Sequence, residues 1–285
     1  MPRHRVTGAT RLVALVGDPV ERSLSPVIHN AAFRAQGLDL VYLACPVVTG
    51  GLADAVRGLW EIGALGANVT IPHKQAAFRE ATTASPVARA LGAANTLVRR
   101  SEGWHADNTD VEGFLAPLQE MKALLRGRDV VVLGAGGAAR SVVYGCSTAL
   151  GVRSVGIAAR RVEQARSLAR DLQPATDARL DALALADAAD AVRGAALVVN
   201  ATPLGMGDGR TPWTDETDFH PDHIVYDLVY RPALTPLLAA AAARGARTVA
   251  GLPMLLGQAA AAYRQWTGRP FPYDVARNAA RDALS

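Results

Sequence analysis

Apolar runs of strand length alternate along the chain with amphipathic stretches. In the first part, RLVALVG (11–17), LVYLACPVV (40–48), GANVT (66–70) and AANTLVRR (93–100) read as strands. Between them, SPVIHNAAFRAQG (25–37) reads as a helix with proline in its first turn and Gly37 at its stop. GLADAVRGLWEIG (51–63) puts Leu52, Val56, Leu59 and Trp60 on one helical face. Such alternation predicts a parallel sheet.

The second part repeats the alternation more cleanly. DVVVLG (129–134), SVGIAA (154–159), AALVVNATP (195–203), HIVYDLVY (223–230) and ARTVAG (246–251) are strand-like. GAGGAARSVVYGCSTALG (134–151) is a turn and helix, ARSLARDL (165–172) is helical, and the Ala-rich PMLLGQAAAAYRQWTG (253–268) is a long helix near the end. A seam from Trp104 to the GRD of 127–129 joins the two blocks, with Pro117 shortening the helix that links them. The expected fold is two α/β domains around a cleft. Residues 1–111 would bind substrate, 112–252 would form a doubly wound dinucleotide-binding domain, and the helices of 253–285 would return to the first domain.

Composition narrows the classes. With 285 residues, about two domains are expected. The net charge of +4 comes from scattered basic residues without interleaved aromatics, which favours a small anionic ligand over nucleic acid. No apolar run reaches the ~18 residues of a membrane span. The basic start MPRHRVTGATR leads into a first strand, not a secretory signal. Cys45 and Cys146 lie far apart in apolar stretches, as free thiols of a reducing cytoplasm would. His220 and His223 form an H-x-x-H pair with no third ligand in the sequence, so no metal is expected.

Candidate chemistry starts at GAGGAA (134–139), a G-x-G-x-x-A turn between a strand and a helix. Glycine permits the tight turn and the close approach of backbone to a pyrophosphate, and the helix start offers N–H groups. At the tip of the next strand, where an NAD site carries an acid, stand Arg160 and Arg161. Guanidinium groups suit a 2′-phosphate, so NADP is expected over NAD; Glu163 stands nearby.

A carbonyl reductase also needs a proton donor and groups that orient substrate. Lys74 follows the strand end NVTIP, and a lysine ammonium carries a proton at neutral pH. Ser23, Ser25, Asn68, Thr70, Asn95, Asp107, Asn108 and Asp110 all follow or overlap apolar strands. This hydroxyl- and amide-rich set suits a polyhydroxylated small molecule.

SLSP, NVTIPHK, GAANT, ADNTD, GAGGAA, NATPLGM, DLVYRP and GLPMLLGQ occur in this order from Ser23 to Gln258. The chain thereby resembles the shikimate/quinate dehydrogenase family. The resemblance implies reversible, NADPH-dependent reduction of 3-dehydroshikimate to shikimate, a step of chorismate and aromatic amino acid biosynthesis. It implies Lys74 and Asp107 as the catalytic pair. Ser23 and Ser25 would hold the substrate carboxylate, with Tyr230 near them, and Thr70, Asn95, Asp107 and Gln258 would bind ring hydroxyls. Gly134, Ala135, Gly136, Gly137 and Ala138 would meet the pyrophosphate, Arg160 and Arg161 the 2′-phosphate, and Thr202, Met206 and Gly251 the nicotinamide half.

One departure stands out. Many NADP-using members carry Asn-Arg-Thr after the second strand of the cofactor domain, followed shortly by another arginine; here the residues are Ala159-Arg160-Arg161 and Gln164. Ser25 leans toward shikimate, since quinate-using relatives often carry threonine there. A quinate/shikimate or aminoshikimate dehydrogenase, and a non-catalytic ligand-sensing domain, are the alternatives. A monomer or a homodimer is expected.

Overall fold

The structure, a computed structural model, describes residues 6–207 and 209–284. The chain divides into two compact units. One runs to Thr109 and resumes at Gln258; the other is Asp110–Gly257.

The first unit contains β1 (Arg11–Gly17), α1 (Ser25–Ala35), β2 (Leu40–Pro46), α2 (Leu52–Glu61), β3 (Gly66–Val69) and α3 (Lys74–Glu80). It continues with β4 (Thr83–Ala84), α4 (Pro86–Leu91), β5 (Thr96–Arg100) and β6 (Gly103–Asp107). The strands form one sheet in the order β2-β1-β3-β5-β6-β4. The sheet is mixed, not parallel as the alternation predicts: β5 runs antiparallel to both β3 and β6. The cause is a hairpin. GWHAD (103–107) is a strand within the expected seam, and it turns tightly back on β5, so that Thr96 pairs with Asp107.

The second unit contains α5 (Asp110–Leu115), a 3₁₀ turn at Ala116–Met121 carrying Pro117, and α6 (Lys122–Leu125). Next come β7 (Asp129–Leu133), α7 (Gly137–Ala149), β8 (Ser154–Ala159), α8 (Val162–Leu172) and β9 (Arg179–Ala184). Then follow α9 (Ala189–Gly194), β10 (Leu197–Asn200), β11 (Ile224–Asp227), α10 (Pro236–Ala243) and β12 (Arg247–Val249). The chain passes back to the first unit inside α11 (Leu252–Thr267) and ends on α12 (Tyr273–Asp282). The sheet is entirely parallel in the order β12-β11-β10-β7-β8-β9. In order of appearance, read from the other edge, this is 3-2-1-4-5-6, the doubly wound order whose switch point lies between β7 and β10.

Both faces of the first sheet are covered. On one, Ala14, Val16, Ala67, Val69, Leu97 and Trp104 pack against α2, α3 and α4 through Val56, Leu59, Ala77 and Ala88. On the other, Val13, Leu15, Tyr42 and Val98 pack against Phe33 of α1 and Tyr263 and Trp266 of α11. Each of the larger aliphatic and aromatic side chains among them contributes about 1.5–3 kcal/mol of transfer free energy, and each alanine methyl about 0.8 kcal/mol. His29 lies within this second layer, wholly buried, its ring stacked on Tyr42 at 4.5 Å and 5.3 Å from Trp266. Neither ring nitrogen has a hydrogen-bond partner, and burial pushes the imidazole pKa down to about 3. Among the described residues, no helix is long and apolar enough to cross a membrane.

Candidate active site

In the first unit, the candidate residues gather where β1, β3 and β6 end and where the antiparallel β5 begins. Lys74 opens α3, half-buried. The loop before it is stitched to β1: Thr70 N–H donates to Val16 O (2.9 Å) and Asp18 N–H to Ile71 O (2.9 Å). His73 is buried and its Nε2 meets Val47 O at 2.7 Å, so this ring locks the loop. Ala94 N–H donates to Lys74 O (2.8 Å), and the next residue, Asn95, donates its N–H to Asp107 O (3.1 Å). Asn95 O in turn accepts from Val69 N–H (2.8 Å) and Asn68 Nδ2 (3.1 Å). One short segment therefore ties the lysine, the aspartate and the end of β3 together.

The Asp107 carboxylate is held on both sides. Oδ1 accepts from Ser85 Oγ and from Asn108 N–H (2.8 Å), and Oδ2 accepts from Gln265 Nε2 of α11. All three donors are groups other than Lys74. Ser85 also accepts from Ala88 N–H (3.1 Å) as the N-cap of α4, so one hydroxyl fixes a helix start and a carboxylate at once. Neither Ser85 nor Gln265 is singled out by the sequence reading. A signal for Gln265 exists nonetheless: it lies seven residues after Gln258, two turns along the same face of a helix otherwise rich in alanine.

Asn95 and Thr109 exchange several bonds. Asn95 Oδ1 accepts from Thr109 N–H (2.7 Å) and Thr96 Oγ1 (3.0 Å), while Asn95 Nδ2 donates to Thr109 Oγ1 (3.0 Å). The network continues through Asn68, whose Nδ2 donates to Thr96 Oγ1 (3.1 Å) and whose Oδ1 accepts from Tyr42 OH (2.8 Å). The Tyr42 phenol also shares a hydrogen bond with Ser25, although burial dominates and pushes its pKa up. Ser25 is buried as the first residue of α1, and its N–H donates to Ser23 Oγ (3.2 Å). Leu24, not Ser25, occupies the N-cap of α1. Ser25 and Asn95 are thus the two ends of one buried polar chain. Gln258, 8% exposed, completes the first unit's candidates on α11.

In the second unit, the β7–α7 turn has the form that GAGGAA predicts. Gly134 has φ +114°, and a Cβ there would lie 2.9 Å from the Thr202 methyl carbon. The two sit side by side because β7 and β10 are neighbours in register, with Leu133 beside Asn200. Gly136 is the N-cap of α7 without a side-chain cap, and nothing lies within 4 Å of its Cβ position. The backbone N–H groups of this turn are therefore presented past two exposed glycines, Gly136 and Gly137, with Ala135 and Ala138 half-buried beside them. Arg160 and Arg161 are exposed at the end of β8, and the Glu163 carboxylate is bonded to Arg166 one turn on. Met206 is 49% exposed, and Tyr230 is half-buried beyond β11. Gly251 has a packing role: a Cβ there would lie 2.2 Å from Leu228 O. His220 and His223 stack at 3.7 Å, and His220 Nε2 meets Arg193 O at 3.0 Å, which ties the pair to the end of α9.

Fold and site together define an α/β chain with a glycine turn at the switch point of a doubly wound sheet and a lysine and an aspartate joined through one dipeptide in its other unit. The chain is 51% identical over 277 residues to the shikimate dehydrogenase (NADP(+)) of Salinibacter ruber, covering 95% of this chain and 97% of that one. It belongs to the shikimate dehydrogenase family. Residues 15–97 match the shikimate dehydrogenase substrate binding domain and residues 251–281 the shikimate 5′-dehydrogenase C-terminal domain. A crystal structure of a shikimate dehydrogenase in complex with NADP+ superimposes with a TM-score of 0.91 at 33% identity, covering 99% of this chain and 98% of that one. That of the Thermus thermophilus enzyme in complex with NADP(H) and shikimate gives 0.85 at 34%, covering 96% and 100%.

Proposed function

We propose that the protein is a shikimate dehydrogenase that interconverts 3-dehydroshikimate and shikimate with NADPH and NADP+, as a step toward chorismate and the aromatic amino acids. The observation that carries this is the tie between Lys74 and Asp107 through Ala94 and Asn95, in a chain half identical to an enzyme of that name. In this reading the first unit binds substrate and the second binds the dinucleotide.

The groups present suit that cofactor. The left-handed Gly134, the open Gly136, the uncapped start of α7 and the exposed Arg160 and Arg161 offer glycine space, N–H donors and guanidinium groups to a phosphorylated ligand. When bound, NADPH supplies the hydride. Lys74 Nζ gives a proton to the C3 oxygen as charge develops there, and takes it back in the oxidation. Asp107, kept in place by Ser85, Asn108 and Gln265, accepts from the substrate hydroxyls. Ser23 and Ser25 donate to the substrate carboxylate, and Thr70, Asn95 and Gln258 orient the ring. Thr202, Met206 and Gly251 line the nicotinamide half.

This chemistry asks nothing of a second chain, so it suits a monomer as well as a homodimer. A cytoplasmic location fits the free Cys45 and Cys146, the latter buried with its thiol pKa pushed up by desolvation. The test is a matrix of rates for shikimate and quinate, each with NADP+ and NAD+. Fastest turnover with shikimate and NADP+ is expected; a faster quinate reaction replaces the substrate, and no turnover in any cell removes the enzyme.

A further inference from the structure

The second unit holds a buried carboxylate that the reaction does not use. Asp227 ends β11 with 0% exposure. Its Oδ1 accepts from Asn200 Nδ2 (2.8 Å) and Val229 N–H (3.0 Å), and its Oδ2 accepts from Thr235 Oγ1 (2.6 Å). All three donors are neutral. Burial raises the carboxyl pKa, and the bonds from Thr235, Val229 and Asn200 oppose that rise. Burying an acid among neutral donors is costly, and simple packing does not call for it. Its place is informative: it lies at the carboxyl end of a parallel sheet, where doubly wound folds bind ligands.

The bonds run in a row from there toward the glycine turn. Asn200 stands between Asp227 and Leu133 in register, one on each neighbouring strand. Its Nδ2 is committed to Asp227 and to Leu204 O (3.0 Å). That commitment orients the amide, so Oδ1 is the atom that accepts from Thr202 N–H (2.9 Å) and Thr202 Oγ1 (2.7 Å). Thr202 Oγ1 then accepts from Leu204 N–H (3.2 Å), and the Thr202 methyl abuts Gly134. Gly205 closes over the other end, its Cβ position 3.8 Å from both Asp227 Oδ2 and Thr235 Cβ. An acid, an amide and a hydroxyl therefore determine how the 200–206 turn lies against the β7–α7 turn. A carboxylate at position 227 accepts from Asn200, Val229 and Thr235 together; an asparagine there, with its oxygen kept on Asn200 and Val229, turns its amide on Thr235 Oγ1 and takes away the acceptor of that hydroxyl's proton.

We propose that Asp227 is a positioning residue for the dinucleotide. Acting through Asn200, it sets the Thr202–Met206 turn beside Gly134 and so sets nicotinamide nucleotide affinity without touching the nucleotide. The proposal rests on the reading of the second unit as the dinucleotide-binding one.

The test uses the full chain carrying Asp227→Asn, with NADPH affinity read from its fluorescence on binding, the KM for shikimate at saturating NADP+, and circular dichroism for the fold. NADPH affinity is expected to fall about tenfold, as loss of a buried hydrogen bond does, with the shikimate KM within about twofold of wild type. Thr235→Val removes a single donor and should move NADPH affinity the same way by about threefold; it decides the matter if Asp227→Asn does not fold. NADPH affinity unchanged in the folded variants overturns the proposal, and so does a shikimate KM that rises in step with it. If the wild-type protein binds no NADPH, the reading of the second unit fails as well; if it binds and the variants bind equally, only the positioning role falls.

Discussion

Lys74 and Asp107 are joined through consecutive peptide groups. The N–H of Ala94 holds the lysine's carbonyl at 2.8 Å, and the N–H of Asn95 holds the aspartate's at 3.1 Å. The spacing of their backbones is therefore set by one peptide unit. Two adjacent residues of GAANT, Ala94 and Asn95, hold the backbones of the pair.

Lys74→Ala should leave that backbone frame intact and remove the proton donor. A fall in kcat of about 10²–10⁴-fold is expected, with shikimate binding by calorimetry retained. Turnover near that of wild type would take Lys74 out of the role.

Gln265 and Ser85 both hold the Asp107 carboxylate, but only Ser85 also caps a helix. Gln265→Leu should lower kcat/KM for shikimate about tenfold while barely moving the melting temperature. Ser85→Ala should do both, since loss of a cap costs about 1 kcal/mol. Equal melting shifts in the two variants would contradict this division.

His29 links stability to pH. Its folded pKa of about 3 lies below its ordinary 6.5, so between those values only the unfolded chain takes the proton. The stability from keeping this ring neutral is present above pH 6.5 and is lost as pH falls toward 3, by up to ~1.4 kcal/mol per pH unit. Urea unfolding at pH 7 and pH 5 should show the loss in wild type and a smaller one in His29→Phe.

Two glycines of the second unit should part company. Gly251→Ala drives a Cβ to 2.2 Å from the Leu228 carbonyl oxygen, a backbone atom with little freedom, and should cost about 1–3 kcal/mol or more in urea unfolding. Gly136→Ala meets nothing within 4 Å at φ −89° and should leave stability unchanged, yet raise the KM for NADPH by crowding the turn.

Arg160→Ala and Arg161→Ala test the 2′-phosphate site. Each should raise the KM for NADPH, by roughly tenfold for a lost charge-assisted bond, and leave that for NADH nearly unchanged. An equal effect on both cofactors would assign these arginines to the solvated start of α8.

The second unit was more legible in the sequence than the first. Its strands are short, continuously apolar and separated by helices, which is how buried parallel strands read. β9 escaped because RLDALA, at the sheet edge, carries polar residues at alternate positions amid alanines. In the first unit, the β5–β6 hairpin was hidden because GWHAD resembles a polar seam until Trp104 and Ala106 are seen to face the core. The candidate lysine, aspartate and glycine turn stood out through their ordered motifs. Gln265, Ser85 and Asp227 did not, because each acts by holding another polar group, and such pairings join residues as much as 158 positions apart. Spacing along a chain does not encode them.

The return of the chain through α11 inverts the order of completion during synthesis. Tyr263 and Trp266 belong to the layer that covers β1, β2 and β5, so the unit made first lacks part of its core until residue 266 has left the ribosome. The unit made second is one continuous stretch and has its complete sequence earlier. Nascent chains stopped short of residue 266 should therefore expose apolar surface on the amino-terminal unit while the later one is already compact, so a holdase would be needed for the part that was translated first.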